Sequence, residues 1–222
     1  MIGIISDSFV IEFNPLNFRV YSSFGELSLL VRISPLIQEP IFTTIAMYSS
    51  RQIANYFIKK SQASGQELTP MKLIKLCYIA HGWYLGLYGQ QLLSEIIYAW
   101  KYGPVIDTIY KDFKQYGSNQ ITELLFEENQ KNYPLPDNKI MPFLDAIWNA
   151  YGGFNAIELS AMTHEKGTPW DTVWNIRGGK NQQYAIIPND IIEEHYKSKI
   201  AAENARTAST TPSIESTSPK SS

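Results

Sequence analysis

Cysteine is nearly absent: Cys77 stands alone among 222 residues. One thiol excludes an intrachain disulfide and every multi-cysteine zinc site, and it fits a reducing compartment. Histidine is scarce too, with His81, His164 and His195 far apart and no H-E-x-x-H. Nothing in that spacing selects a ligand set, so neither a metal nor a cofactor is expected. Charged residues make up 18% of the chain, 19 basic against 21 acidic, for a formal net charge of −2. Such a balance argues against a protein that coats nucleic acid by bulk charge. No apolar run approaches the roughly 18–20 residues of a membrane-spanning helix. The apolar N-terminus lacks a basic leader, is interrupted by Asp7 and Glu12, and has no small-residue cleavage site, so a cytoplasmic location is expected. A glycine-rich phosphate loop is missing as well. Gly152-Gly153 and Gly178-Gly179 lack the flanking strand and the Lys-Ser/Thr pair such a loop needs.

What is present falls into three compositions. Residues 1–46 contain 24 of the apolar and aromatic set but no Lys and no Trp. Phe9–Phe13, Phe18–Tyr21 and Leu27–Ile33 have strand-like composition, broken by Pro15, Pro35 and Pro40. All five Trp residues lie beyond Met47, where helical signals begin. Met47 precedes Tyr-Ser-Ser and an amphipathic run, so residues 1–46 read as an extension upstream of the natural start. The alternative is a β-rich appendage. Residues 205–222 hold ten Ser or Thr and two Pro, a composition expected to remain disordered.

Between these ends, residues 47–204 read as one compact, mainly α domain of about seven helices. Ser49 or Ser50 can cap the first. Thr69-Pro70 opens a long helix closed by Gly89, with Leu73, Leu76, Cys77, Ala80, Tyr84 and Leu87 on one face. Ile74, Tyr78 and Leu85 widen its apolar arc. Residues 92–100 are apolar, either extended or a short helical turn. Tyr102-Gly103-Pro104 signals a turn, with Pro104 opening a helix through Tyr116. Asp137 or Asn138 caps a helix that Gly152-Gly153 stops. Asn155 and Glu158 form a capping box. Thr168-Pro169 opens a further helix, and Asn189 caps the last.

Few residues in this frame could carry chemistry. His81 sits inside the long helix and reads as a structural donor to a neighbour. Cys77 lies on the apolar stripe and reads as core. Thr163-His164-Glu165 allows an acid–base pair, His164 with Glu165 and Glu158 nearby, as in a small hydrolase-like enzyme. It equally allows a helix terminus followed by the Thr168 cap, which is the reading we favour. Trp100-Lys101-Tyr102 joins aromatics and a cation to a turn, as both binding hot spots and packing anchors do. Lys59, Lys60, Lys72, Lys75, Lys111 and Lys114 read as solvated helix faces rather than a duplex-binding stripe. A DNA-contacting regulatory protein therefore stands only as an alternative.

Three stretches, in order, resemble a known family. They are Leu68-Thr-Pro-Met-Lys-Leu-Ile-Lys-Leu-Cys-Tyr-Ile-Ala-His-Gly-Trp-Tyr-Leu85, Ala99-Trp-Lys-Tyr-Gly-Pro-Val-Ile106, and Glu158-Leu-Ser-Ala-Met-Thr-His-Glu165 followed by Pro169-Trp170. Together they resemble the Panacea domain of the SocA-like antitoxins, which also occurs in phage-associated and mobile-element proteins. The resemblance implies a helical, non-enzymatic protein that binds and neutralises a cognate protein toxin encoded beside it. It also implies adaptor delivery to a ClpXP-type protease as one route. No catalytic residue carries over. What carries over is a set of signature positions, expected at the partner-binding surface or in the fold: Trp100, Lys101, Tyr102, Gly103, Pro104, Thr163, His164, Pro169 and Trp170.

Overall fold

A computed structural model describes residues 47–125 and 134–205, the backbone of 206–210, and the backbone of four strands within the first 46 residues. The chain divides into two compact units, 34–197, and 1–33 with 198–222. In the smaller unit β1 (Gly3–Ile4), β2 (Phe9–Asn14), β3 (Asn17–Ser22) and β4 (Val31–Arg32) form an antiparallel sheet in sequence order. β2 and β3 pair from Phe9 with Ser22 to Asn14 with Asn17. The runs Phe9–Phe13 and Phe18–Tyr21, strand-like in composition, lie within β2 and β3. Of the 27–33 run, only Val31–Arg32 is described as strand.

In the larger unit α1 (Ser50–Ser64) starts where Ser49 accepts from Arg51 N–H and Gln52 returns a bond to the Ser49 N–H. α2 (Pro70–Tyr88) starts at Thr69, whose hydroxyl accepts from Lys72 N–H, and closes at Gly89, with φ +64°. Nearly every residue of α2 is buried, because α1, α4 (Met141–Tyr151) and α5 (Ala156–His164) pack around it. Phe57 stacks on Trp148, and Trp83 donates its indole N–H to the Tyr151 hydroxyl at 2.9 Å. Gly82 is glycine for want of room: a Cβ there would enter the ring of Tyr196 on α7 (Asn189–Thr210). Asn155 and Glu158 form their capping box at the start of α5. α6 (Pro169–Asp171) begins on the Thr168 cap and widens into a π turn over Thr172–Ile176. The unit is mainly helical, with seven helices among the described residues. None of these is long and apolar enough to cross a membrane.

A small sheet interrupts the helices. β5 (Ile97–Trp100) and β6 (Gly103–Ile106) form a hairpin, and β7 (Ala185–Ile186) pairs with the other side of β5. Pro104 therefore opens no helix. The helix begins at Asp107 as α3 (Asp107–Phe113), followed by a 3₁₀ turn at Lys114–Tyr116. The reason is a contact from elsewhere in the chain. The Pro104 carbonyl, which a helix would commit to the chain four residues on, is taken by Lys75 at 3.0 Å. Asn189 does not cap α7. It is the first residue of that helix, and its side-chain oxygen lies 3.0 Å from His81 Nε2. α7 continues through Thr210, into the segment read as a disordered tail, and residues 211–222 lie outside the described residues.

Candidate functional site

The β5–β6 hairpin turns at Lys101-Tyr102, and two side chains hold its backbone from behind while a third packs beside it. Trp170 Nε1 donates to the Trp100 carbonyl at 2.7 Å. His164 Nε2 lies 3.4 Å from the Lys101 carbonyl. Lys75 Nζ donates to the Tyr102 carbonyl at 2.6 Å and to the Pro104 carbonyl at 3.0 Å. Three carbonyls within five residues, those of Trp100, Tyr102 and Pro104, are thereby oriented from two separate elements, α2 and α6, while α5 sets the His164 ring beside the turn. Gly103, at φ +97°, lies in the left-handed region that favours glycine.

Each of these groups is fixed in turn. His164 Nδ1 sits 2.6 Å from the Ser160 carbonyl, which puts the proton on Nδ1 and leaves Nε2 without one to donate to the Lys101 carbonyl; its ring lies 4.1 Å from that of Trp170. Trp170 is buried and stacks on Trp174 at 5.8 Å with an 18° interplanar angle. Thr163 donates to the Ser160 carbonyl, and its own carbonyl accepts from the Thr168 hydroxyl. Pro169 supplies the first helical residue after that cap. Seven of the nine signature positions thus meet at one hairpin, with Lys101 and Tyr102 on its exposed turn, while Thr163 and Pro169 stand behind His164 and Trp170. Tyr102 is 63% exposed, with the Lys101 ammonium 5.5 Å from its ring centroid.

Lys75 is the residue that sequence reasoning misplaces. Expected on a solvated face, it is 1% exposed. Burial pushes its ammonium down to about 7. A neutral amine keeps two N–H donors, enough for the two carbonyls it meets. Lys72 is likewise buried, donating to the Glu67 carbonyl at 2.8 Å. The signal was available: Ile74, Tyr78 and Leu85 leave α2 apolar on nearly every side, so Lys72 and Lys75 have no wet face to occupy.

The groups that could have formed an acid–base centre are dispersed. Glu158 is committed to its capping box. Among the described residues no side-chain bond joins His164 to Glu165, whose carbonyl accepts from Thr168. His81 is fully buried elsewhere, its Nδ1 accepting from Leu93 N–H at 3.2 Å while Nε2 donates to Asn189. Cys77 is buried in the core, and burial raises its thiol far above the ordinary range. An open groove of about 570 Å³, lined by Glu67, Lys72, Gly153 and Ile157 among others, contains none of the signature positions.

Residues 73–171 match the family model described as Antitoxin SocA-like, Panacea domain. Among curated proteins, Antitoxin SocA of Caulobacter vibrioides (strain NA1000 / CB15N) is 29% identical over 169 residues, covering 73% of this chain and 87% of that protein. No solved structure matches the chain. The matched span 73–171 includes the whole hairpin and all of its supports, Lys75 among them.

Proposed function

We propose that the chain is an antitoxin of the SocA-like Panacea family, a reading supported by the match over residues 73–171 and the 29% identity to Antitoxin SocA. In this reading it neutralises a toxin encoded by the neighbouring gene through direct contact at the β5–β6 hairpin, without catalysis. The observation that carries the reading is the clamp. Lys75 and Trp170 hold the backbone of a turn whose Lys101 and Tyr102 side chains face solvent, with the His164 ring packed beside it. A turn ordered in advance loses little entropy on binding, and an exposed Tyr beside a cation is the type of anchor that dominates interfaces.

Co-expression of the neighbouring gene with and without this protein is the test. Toxicity relieved by the wild type and restored by Tyr102→Ala, with the variant still folded, supports the reading. A neighbouring product that is harmless, or that the protein does not bind, removes it. Half-life separates the two routes of neutralisation: sequestration leaves the toxin's lifetime unchanged, whereas delivery to a ClpXP-type protease shortens it.

A further inference from the structure

The order β6-β5-β7 places β7 at an edge of the small sheet. Ile187 N–H donates to the Ile97 carbonyl at 2.8 Å, and the next Cα partners are Tyr98 with Ile186 and Ala99 with Ala185. Bonded and non-bonded pairs alternate along an antiparallel ladder. Ile186 is therefore a non-bonded position, and its N–H and carbonyl point away from β5. Among the described residues no group bonds either of them. Edge strands are usually blunted by shortness, a lysine, a proline or a covering element, and here a two-residue strand is followed by Pro188 at the next outward position. Ahead of that proline the edge carries Tyr184 and Ile186, 55% and 50% exposed.

The sheet face beside that edge is aromatic. Ile186 lies opposite Tyr98, so their side chains share one face, and Tyr184 meets Tyr98 edge-on at 5.6 Å. Trp100, two residues along the same strand, continues the face and meets Tyr110 at 5.0 Å. Its indole N–H is buried without a hydrogen-bond partner. Lys101, Arg177 and Lys180 are exposed on the hairpin turn and the 172–181 turns, with no ion pair among the described residues. On α3, Lys111 and Asp107 neutralise each other, and Asp112 pairs with Arg51. The surplus there is positive.

We propose that β7 is a β-addition site for an extended, carboxylate-bearing segment of the partner protein. The segment pairs with the Ile186 backbone and lays its side chains over Tyr98, Tyr184 and Ile186. The backbone geometry selects a strand as the occupant, the aromatic face selects apolar side chains on it, and the cationic surround selects acidic ones. The inference rests on the reading above that the chain binds a protein, and it adds a second contact region on the same sheet as the hairpin.

The experiment is titration of the purified product of the neighbouring gene into full-length protein. Ile186→Pro deletes the outward N–H and leaves the Ile187 bond to β5 intact, a substitution that edge strands accept. Binding is expected to weaken by about tenfold or more. A folded Ile186→Pro protein that loses less than this overturns the edge site while leaving the antitoxin reading intact. Should that variant unfold by circular dichroism, Tyr184→Ala/Ile186→Ala keeps every backbone donor and is expected to weaken binding about fivefold or more; a smaller loss overturns the proposal. Tyr102→Ala is measured alongside. Loss confined to that variant places the contact at the hairpin alone and also overturns the edge site. If the wild type does not bind the neighbouring product, the functional reading and the edge site fall together.

Discussion

Gly103 brings its Cα to the point where the Lys75 ammonium and the His164 imidazole converge, so the space a side chain would need is already filled. An ideal Cβ would lie 2.7 Å from His164 Cε1 and closer still to Lys75 Nζ, and φ at this position is +97°. Gly103→Ala therefore combines a steric overlap with a left-handed backbone. The expected cost is about 2 kcal/mol or more, read as a lower urea midpoint with an unchanged slope. Stability equal to wild type would mean that the hairpin can lift off its supports without penalty.

The Lys75 ammonium makes stability depend on pH in a defined direction. Burial lowers its folded-state pKa from 10.5 to about 7, so between those values the unfolded chain holds the proton more tightly. Stability contributed by this group therefore rises with pH across the window, and the cost of burying the charge is fully felt below about 7. The gain toward alkaline pH is of the order of a few kcal/mol. Lys75→Met removes the titration and orphans the Tyr102 and Pro104 carbonyls. Urea unfolding of both proteins at pH 7 and pH 9.5 checks this: the wild type gains on the variant as pH rises, and parallel curves would contradict it.

The parts of this molecule that can be read from the chain are the local ones. Ser49, Thr69, Asn155 and Thr168 each cap a helix because the oxygen and the N–H it serves lie within three residues. The signature positions are recognisable as a set, yet their common purpose is invisible without the fold. Trp100 and Trp170 are 70 residues apart and meet through one hydrogen bond. Pro104 misleads because proline at a helix start is a strong local preference, and here a lysine 29 residues earlier removes the carbonyl the helix would use. Asn189 misleads in the same way, since its capping oxygen is taken by His81, 108 residues away. Long-range claims on polar groups override local propensity wherever the claimant is buried.

Trp170 joins two roles that substitution can separate. Its ring packs between His164 and Trp174, while its N–H serves the Trp100 carbonyl. Trp170→Phe keeps an aromatic ring and leaves the carbonyl short of its donor, at an expected cost of about 1–3 kcal/mol. Amide exchange in the 100–103 turn should accelerate more than in α1, because the lost bond acts on the hairpin. Uniform acceleration across the unit would instead make Trp170 a general packing residue.

His81 predicts acid sensitivity opposite in sense to a surface histidine beside a carboxylate. Its Nδ1 accepts from Leu93 N–H, so the ring must be neutral to keep that bond, and burial lowers its pKa from 6.5. The unfolded chain binds the proton more readily. The contribution is therefore fully present above about pH 6.5 and is lost as pH falls below it, at up to about 1.4 kcal/mol per pH unit. His81→Leu abolishes this titration but strands the Leu93 N–H and the Asn189 oxygen, for an expected loss of about 2–4 kcal/mol at neutral pH. Thermal unfolding of both proteins from pH 7 to pH 5 reads the two effects together. The wild-type midpoint falls with acidification more steeply than that of the variant, and the gap between them narrows; a gap that widens toward pH 5 would show that His81 is held protonated in the folded state.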